Sequence, residues 1–296
     1  MFTPLRDNEI RILSIPPAAG GLENQLEYET LSYVWGLYAA PVTISVLDQP
    51  VKISRTLYNA LRRLQLPDRS RLLWVDQLCI DEENIEEKTK QVQFMSKIYT
   101  KCTRCIAWVG EVRDDMPLED AETAVQLLEY MSATYHAAHP DDVPMPPAVQ
   151  TNFQAAIKAL RGITFDENEW WGRIWTVQEA ALPDDVHLQW GPLEISWHIL
   201  DTAQRAWLGV LPREFNDLVW NGPAGQAVFN SLTAHFHWLN LARDRIDDFF
   251  RLIQHYRVRQ ASDPRDKIYG LLGLCDPRRL PVTAKCDYTL STADVF

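Results

Sequence analysis

One acidic residue lies in a stretch that is otherwise apolar and aromatic, Trp170–Leu182 (WWGRIWTVQEAAL). At about 3.6 residues per helical turn, Trp171, Trp175 and Glu179 stand at i, i+4 and i+8 and are predicted to share one helix face. Burial beside two indole rings disfavours a charged carboxylate, so we expect the pKa of Glu179 to be raised. A carboxylate held in this way, beside rings that can stack on a base or a sugar, is a candidate general acid or base.

The same pattern also fits a purely structural role. In that alternative, Glu179 lies at a rim and is held by Arg173 or by a backbone amide, while both tryptophans belong to the core. The helix pattern alone leaves both hypotheses open. The catalytic hypothesis requires that the carboxyl group of Glu179 faces a ligand-sized cleft close to residues 32–36.

Other familiar chemistries have no motif in this sequence. Neither phosphate-binding pattern, G-x-x-x-x-G-K-[ST] or G-x-G-x-x-G, occurs, and there is no G-x-S-x-G nucleophile elbow. Cys102 and Cys105 have the spacing of a metal or redox pair, but no second pair lies nearby, which favours structural thiols. No metal site is therefore predicted.

Composition narrows the class of protein further. The chain has 296 residues, 46% of them hydrophobic, which is enough for a sizeable core. Its net charge of −11 argues against nucleic acid or an anionic membrane as the main partner. With five cysteines, no signal-peptide pattern and no apolar run of about 20 residues, we expect reduced thiols, no membrane span and a cytoplasmic location.

Short apolar strands alternate with amphipathic helices through the first two thirds of the chain. This alternation is typical of an α/β fold, with a mostly parallel sheet flanked by helices. The predicted elements are strands at Arg11–Ile15, Tyr28–Gly36, Arg71–Ile80, Cys105–Gly110 and Val186–Gly191, a hairpin over Val42–Ser54 around Asp48-Gln49-Pro50, and helices at Arg55–Leu66 and after Asn84, where Asn84 and Glu87 suit a capping box.

The pattern changes after Gly110. Leu118–Ala138 and Ala148–Leu160 are predicted to be helices of an insertion near 115–165. We therefore expect an α/β core over 1–195 that carries this insertion, followed by a mainly helical extension over 196–296. The last residues look like the start of another element, so the chain is predicted to be the N-terminal part of a longer protein.

Three segments are predicted to meet at one edge of the sheet. In an open parallel sheet, ligands bind outside the C-terminal ends of the strands. Ser32–Gly36 lies at one such end and Asp76–Asp81 at another, while the helix of Glu179 follows Cys105–Gly110 after the insertion. The convergence depends on the order of the strands.

Near the C-terminus, Asp263–Lys267 (DPRDK) precedes an apolar helix. Asp263 is predicted to cap this helix and Asp266 to complete a capping box. The alternative is that Arg265 or Lys267 binds a phosphate group.

At these residues the chain resembles the fungal heterokaryon incompatibility (HET) domain. The resemblance rests on five blocks in the family's order, LSYVWG (Leu31–Gly36), the run Leu73–Tyr99, CIAWVGE (Cys105–Glu111), RIWTVQEAAL (Arg173–Leu182) and DPRDKIYGLLGL (Asp263–Leu274). One departure is visible, because Asp81-Glu82 stands where the family usually has Asn-Gln.

The HET family in turn resembles TIR domains. LSYVWG is similar to their first-strand motif, and RIWTVQEAAL to their Trp-Cys-x-x-Glu helix, with Thr176 in place of cysteine and Glu179 at the glutamate. In NAD-cleaving TIR domains that glutamate is catalytic. The resemblance thus implies a TIR-like (flavodoxin-like) sheet, cleavage of the nicotinamide–ribose bond of NAD+ by Glu179, and a role in fungal self/non-self recognition and programmed cell death.

Further residues are expected to bind the substrate NAD+, and no other cofactor is predicted. Ser32 and Asp76 could hydrogen-bond ribose or amide groups, and Arg173 the pyrophosphate. The structural alternatives are a strand-end cap, a turn and ordinary packing. The full set of expected substrate-binding residues is Ser32, Tyr33, Trp35, Gly36, Asp76, Trp171, Arg173 and Trp175, among which the tryptophans are candidates for stacking on a ring of NAD+.

Two functions of different classes fit this sequence. The first is an NAD+ glycohydrolase whose activity rises when it forms a homo-oligomer. The second is a non-enzymatic death-signalling module that acts by self-association and by recruiting partner proteins. Loss of NAD+ at high protein concentration distinguishes the two.

Overall fold

A computed structural model of the chain describes residues 5, 9–15, 27–36, 40–164, 168–209, 211–212, 215, 223–243, 249–280 and 284–295. Its contacts divide the chain into two compact units. The first unit comprises Met1–Trp108, Gly172–Val186 and Leu241–Phe296, and the second comprises Val109–Trp171 and His187–Asn240. The predicted division at residue 195 stays a prediction.

The strands and helices are numbered in chain order. The strands are β1 (Leu13–Ile15), β2 (Glu29–Tyr33), β3 (Val42–Val46), β4 (Gln49–Ile53), β5 (Arg71–Trp74), β6 (Arg104–Gly110), β7 (Val186–Trp190) and β8 (Leu193–Ser196). The helices are α1 (Arg55–Leu64), α2 (Asp76–Cys79), α3 (Ile85–Lys101), α4 (Leu118–His136), α5 (Pro147–Leu160), α6 (Thr176–Ala181), α7 (Trp197–Gly209), α8 (Pro223–Arg243), α9 (Phe249–Tyr256), α10 (Asp266–Leu272) and α11 (Thr292–Val295).

The sheet of the first unit is mostly parallel, which confirms the predicted α/β class. Its strands follow the order β1-β5-β2-β6. Strand β2 runs parallel to both neighbours, with Thr30 opposite Trp74 on one side and Ser32 opposite Ala107 on the other. Strand β1 is antiparallel to β5.

Strand β2 lies at a switch point of this sheet. It is the first of the parallel strands in the chain, and the next two, β5 and β6, lie on opposite sides of it. Connections that leave a strand in opposite directions open a crevice at its C-terminal end, where ligands of open α/β sheets bind. The order β5-β2-β6 is how a flavodoxin-like sheet begins.

One face of β2 packs against helix α1, and the other face meets helix α6. Successive residues of a strand point to opposite faces, so Leu31 and Tyr33 share one face and Ser32 lies on the other. Leu31 and Tyr33 belong to a buried apolar cluster with Leu57 of α1. Helix α1 begins where the sequence predicts, because the Ser54 side chain accepts a hydrogen bond from the Leu57 amide at 3.2 Å.

The predicted hairpin over Val42–Ser54 is confirmed, with its turn earlier than expected. The turn residues are Leu47 and Asp48, whose φ angles of 51° and 59° suit a two-residue hairpin loop. Pro50 lies within β4 opposite Ser45, and this two-stranded ribbon tolerates a residue that lacks an amide hydrogen.

The second unit contains the predicted insertion helices. Helices α4 and α5 have the expected extents to within two residues, and α4 packs against both α5 and α7. The hydroxyl groups of Ser132 in α4 and Thr202 in α7 lie 2.7 Å apart in this interface. Strands β7 and β8 form an antiparallel hairpin, and β8 has no counterpart among the predicted elements.

Candidate functional site

Glu179 lies on a short helix, and the predicted aromatic stripe is wrong. Helix α6 spans only Thr176–Ala181, and the preceding Glu169–Gly172 forms a 3₁₀ turn. Trp171 is 1% exposed and packs in the second unit, where its indole N–H donates to the Ile163 carbonyl at 2.7 Å. Gly172 is a poor helix former, and the burial of Trp171 in the second unit overrides the helical periodicity.

The carboxylate of Glu179 meets the end of strand β2. The Ser32 hydroxyl donates a hydrogen bond to Oε2 of Glu179, and both residues are buried. The expected closeness to residues 32–36 is therefore confirmed. Glu179 is only 3% exposed, however, so its carboxyl group does not face an open, ligand-sized cleft, and the rim position of the structural alternative is not found either.

Arg173 links β2 to the carboxylates of the site. Its guanidinium donates to the backbone carbonyl of Tyr33 and acts electrostatically on Glu179 and Asp76. The positive charge lowers the pKa of both carboxyl groups. Arg173 is half-buried, so its charge is only partly screened by water.

Asp76 begins helix α2 and is separated from the end of strand β5 only by Val75. Its Oδ2 accepts a hydrogen bond from the Trp35 indole N–H at 2.7 Å, and its Oδ1 accepts one from the Gln77 amide at 2.7 Å. The Tyr33 hydroxyl donates to the side chain of Gln77 at 3.1 Å. Burial raises the pKa of Asp76, against the opposing effects of Arg173 and the Trp35 hydrogen bond. The predicted convergence of the two strand ends is thereby confirmed.

Burial also raises the pKa of Glu179, to about 7. The nearby negative charge of Asp76 adds to this increase, whereas the charge of Arg173 and the hydrogen bond from Ser32 oppose it. The raised pKa that the sequence predicts is confirmed. Its cause is removal from water within the first unit rather than a stripe of two indoles. A carboxyl group with this pKa exchanges its proton near neutral pH, as acid/base groups must.

Trp175 forms its hydrogen bond with a residue outside the predicted site. Its half-buried indole forms a hydrogen bond with the carboxylate of Asp266, which also accepts one from the Tyr288 hydroxyl at 2.6 Å. The predicted capping box is therefore wrong, because the Asp266 side chain is used for these contacts. Asp263 accepts a hydrogen bond from the Arg265 amide at 3.0 Å and pairs with the Arg265 guanidinium at 2.6 Å.

Gly36 ends the segment after β2 in a conformation that favours glycine. Its φ angle is +68°, and a Cβ atom there would lie 3.1 Å from Oγ1 of Thr56. The glycine of the LSYVWG motif therefore allows both this φ angle and the close approach to Thr56 of α1.

Sequence reasoning missed the residues that hold helix α6. Arg259 donates to the carbonyl of Arg173 at 3.1 Å and to the hydroxyl of Thr176 at 3.0 Å. At the other end of the helix, Arg243 donates to the carbonyl of Ala180 at 2.6 Å. These arginines lie more than 60 residues from their partners, so no local pattern points to them.

The glycines of DPRDKIYGLLGL were a signal that could have indicated this packing. A Cβ atom on Gly270 would lie 3.2 Å from the side chain of Ile174, and one on Gly273 would lie 2.6 Å from Cβ of Ser96 and nearer still to the amide oxygen of Gln178. Helix α10 thus approaches the segment around α6 as closely as glycine allows.

Among the residues that the structure describes, no group of three histidine, cysteine or acidic side chains is arranged to hold a metal ion. All five cysteines are buried free thiols, and the Thr30 hydroxyl donates to Cys102 Sγ at 3.4 Å. None of the helices in the described ranges combines the length and apolar composition that a membrane crossing requires.

The family model of the heterokaryon incompatibility protein (HET) matches residues 28–179, more than half of the chain. This chain belongs to the HET family. The HET chain is also 27% identical to "Heterokaryon incompatibility protein 6, OR allele" of Neurospora crassa over 322 aligned residues, which cover 91% of the chain and 46% of that relative. It therefore spans about half the length of the curated relative. No solved structure is significantly similar to it.

The family match ends at Glu179 itself, whereas the arginines that hold the helix of this residue lie beyond it. Within the HET chain, Ser32, Tyr33, Trp35, Asp76, Arg173 and Glu179 come together in the first unit, joined by the hydrogen bonds and charges described above. Trp171 is not part of this group, and Trp175 is held by Asp266.

Proposed function

We propose that this HET domain is an NAD+ glycohydrolase that cleaves the nicotinamide–ribose bond, with Glu179 as its catalytic carboxylate. One observation supports the proposal most strongly. At the C-terminal end of β2, a buried glutamate with a pKa of about 7 accepts a hydrogen bond from Ser32 and lies within the electrostatic reach of Arg173. That end is the switch point of the sheet, where open α/β folds bind ligands.

The chemistry needs one ionised carboxylate. When the bond between C1′ and the pyridinium nitrogen breaks, its electron pair leaves with nicotinamide, so the leaving group takes up no proton. The ribose then has oxocarbenium character, which a nearby negative charge stabilises. Water adds to C1′ and releases one proton, giving ADP-ribose. In this proposal Glu179 stabilises the cation and holds the ribose hydroxyls.

The other predicted residues are assigned to binding. Ser32 and Asp76 would contact ribose or amide groups, and Trp35 would stack on a ring of NAD+. Trp175 could stack only if its indole left Asp266, so it is not assigned this role. Arg173 would meet the pyrophosphate. Trp35, Asp76 and Arg173 are half-buried and offer some accessible surface in the first unit. Glu179 is 3% exposed, so the open cleft that the catalytic hypothesis requires is absent, among the described residues, from this conformation. The proposal therefore requires the site to open before C1′ can reach the carboxylate.

The test is release of nicotinamide by the purified chain across a range of protein concentrations. We expect wild-type protein to consume NAD+ when concentrated, and Glu179→Gln to abolish this while it keeps the fold. Glu29→Gln is a matched control on β2, because Glu29 pairs with Arg71 and Arg104 and takes no part in the proposed reaction. Unchanged turnover in a folded Glu179→Gln protein would remove the assignment.

A second candidate function is a non-enzymatic death-signalling module. The near-complete burial of Glu179 favours it, since a sealed carboxylate can serve the fold alone. This alternative predicts no loss of NAD+ at any concentration and cell death that survives Glu179→Ala. Death would instead be lost on changes to exposed groups such as Phe250, which is 80% exposed.

We propose further that the chain acts in heterokaryon incompatibility and in the cell death that this entails. Support comes from its membership of the HET family and from the name of the Neurospora crassa relative. In this proposal it is a cytoplasmic protein that forms a homo-oligomer when active and signals to partner proteins. Cell death after expression of the chain in a fungal host, lost with Glu179→Gln, would link this role to the enzymatic one.

A further inference from the structure

A segment from the C-terminal third of the chain lies beside the backbone that precedes helix α6. The Gln260 amide donates to the Gly172 carbonyl at 2.6 Å, and the Ile174 amide donates to the Gln260 carbonyl at 2.9 Å. These two bonds form an isolated parallel bridge between Arg173 and Gln260. The turn that carries Arg173 is therefore fixed from outside its own helix.

Arg259 adds a buried cation to this bridge. It is 4% exposed, and its Nη1 donates to the Arg173 carbonyl and to the Thr176 hydroxyl. The Thr176 hydroxyl in turn donates to the same Arg173 carbonyl at 2.8 Å, and the Arg259 guanidinium lies 5.3 Å from the centre of the Tyr256 ring.

Burial lowers the pKa of Arg259 to about 10, so it still carries its charge at neutral pH. A buried charge is tolerated only where it is well hydrogen-bonded. The cation of Arg259 is therefore tied to the carbonyl of Arg173 and to the hydroxyl of Thr176.

The two ends of Arg173 are thus held by different groups. Its carbonyl is fixed by Arg259 and Thr176, while its guanidinium donates to the carbonyl of Tyr33. Because the backbone of Arg173 cannot shift freely, the guanidinium stays within electrostatic reach of Asp76 and Glu179.

We propose that Arg259 is a positioning residue that, through the backbone of Arg173, keeps the Arg173 guanidinium within electrostatic reach of the carboxylates of Asp76 and Glu179. The inference rests on the proposed function, since it concerns the same carboxylate. Arg259 is not a catalytic residue, because its own contacts are to the turn and to Tyr256.

The groups that face Glu179 fix the direction of the expected effect. Asp76 makes ionisation of Glu179 harder, while Ser32 and Arg173 make it easier. The neighbouring Tyr99 and Cys105 have pKa values raised well above their usual range by burial, so both are neutral near pH 7. Arg173 is the cation in this set, so displacing it should raise the pH at which Glu179 ionises.

The experiment measures unfolding of the whole chain between pH 5 and pH 9 in four proteins, wild type, Glu179→Gln, Arg259→Met and the double variant. The difference between each protein that keeps Glu179 and its Glu179→Gln counterpart isolates the titration of Glu179. The midpoint is taken as the pH at which the slope of this difference falls to half its maximum, because that pH is the pKa of Glu179 in the folded chain. We expect the midpoint of this difference to lie about one pH unit higher in the Arg259→Met background, as expected for loss of a nearby opposite charge. Arg71→Met is the matched control, because Arg71 pairs with Glu29 and holds the Leu64 carbonyl at 2.9 Å, and its loss should leave the midpoint unmoved.

A second pair of variants covers the case in which Arg259→Met does not fold. Arg259→Lys keeps the charge but loses the fixed geometry, and Thr176→Val removes one acceptor of Arg259. Both should shift the midpoint upward by less than Arg259→Met. A midpoint that is the same in every folded variant would assign Arg259 a merely structural role and overturn the inference.

The two proposals fail in different ways. If the proposed function holds, the pH at which NAD+ cleavage rises should move by the same amount as the midpoint from unfolding. A shifted midpoint in a chain that never cleaves NAD+ would keep the positioning role and remove the enzyme. Cleavage of NAD+ with an unshifted midpoint would keep the enzymatic function and remove the positioning role of Arg259.

Discussion

At the scale of single residues, the proposed reaction and the burial of Glu179 favour different protonation states of its carboxyl group. The proposed reaction needs its ionised form, whereas burial favours the neutral form and raises its pKa to about 7. Arg173 and Ser32 act against burial, and Asp76 acts with it. Near neutral pH the protonated and ionised forms of Glu179 are thus present in comparable amounts. Small changes in the neighbouring groups therefore change the ratio of the two forms.

The first prediction concerns stability and pH. The pKa of Glu179 is about 7 in the folded chain against an ordinary value of 4.5, so the stability gained by the buried neutral form is present below about pH 4.5 and lost as pH rises through 7. The loss amounts to about 3 kcal/mol of unfolding free energy, spread between those pH values. A glutamine side chain cannot ionise, so Glu179→Gln should avoid this loss. The free energy of unfolding in urea, taken as variant minus wild type, should therefore be more favourable to the variant at pH 8.5 than at pH 5.

Glu29→Gln provides the control for this measurement. Glu29 pairs with two arginines, so its loss should lower stability at both pH values. Equal effects of Glu179→Gln at pH 5 and pH 8.5 would mean that Glu179 is ionised in the folded chain at both.

The second prediction concerns Ser32. Its hydroxyl donates to the Glu179 carboxylate and helps to keep that group ionised. A hydrogen bond to a charged group contributes roughly 1.5–3 kcal/mol, so Ser32→Ala should raise the pH at which NAD+ cleavage rises by about one unit or more. Activity should fall more at pH 7 than at pH 9. A loss that is equal at all pH values would mean that Ser32 acts through substrate binding alone and does not help to keep Glu179 ionised.

At the scale of elements, helix α6 depends on its neighbours. It has six residues, fewer than an isolated helix needs to be stable in water. Arg259 holds the turn before it, and Arg243 donates to a carbonyl in its last turn, where a positive charge also complements the helix dipole. The position of Glu179 is therefore set by tertiary contacts.

The third prediction tests the close approach of α10. Gly273 has ordinary helical backbone angles, yet a Cβ there would lie 2.6 Å from Cβ of Ser96 and close to Gln178. Gly273→Ala should therefore destabilise the chain by about 1–3 kcal/mol, as overpacking does. Gly209→Ala is the control, because among the described residues no atom outside its own stretch of helix lies within 4 Å of a Cβ at that position. Thermal unfolding of the two variants checks this, and equal melting temperatures would contradict it.

How much of this the sequence could predict depends on how local the cause is. The cap of α3 by Asn84 and the helix α4 follow from nearby residues, and both are confirmed. The convergence of Ser32 and Asp76 follows from a general rule about strand ends. The stripe of Trp171 and Glu179 failed because burial of Trp171 within the second unit overrides helical periodicity, and no spacing rule relates Arg259 to Thr176.

At the scale of the whole molecule, the first unit is assembled from three separate segments. The fourth prediction is that a chain cut after Asn240 loses the order of α6, because Arg243, Arg259 and α10 are removed. Amides of Thr176–Ala181 should then exchange with deuterium far faster than in the full chain. A cut after Leu290 is the control, since it removes only α11, and protection should persist there. Unchanged protection after the longer deletion would show that α6 is stable without the C-terminal third.

The fifth prediction concerns assembly and charge. Copies with a net charge of −11 repel one another, and this repulsion reaches about 30 Å in 0.01 M salt but only about 8 Å at 0.15 M. If the active form is a homo-oligomer, NAD+ cleavage per molecule should rise with protein concentration. In 0.15 M salt this rise should begin at a lower protein concentration than in 0.01 M salt. Saturating NAD+ is needed, because the anionic substrate is repelled by the same charge. Size-exclusion chromatography over the same concentrations shows where the chain passes from single copies to oligomers. A rate per molecule that stays constant across that change at both salt levels would mean that a single copy is as active as the oligomer.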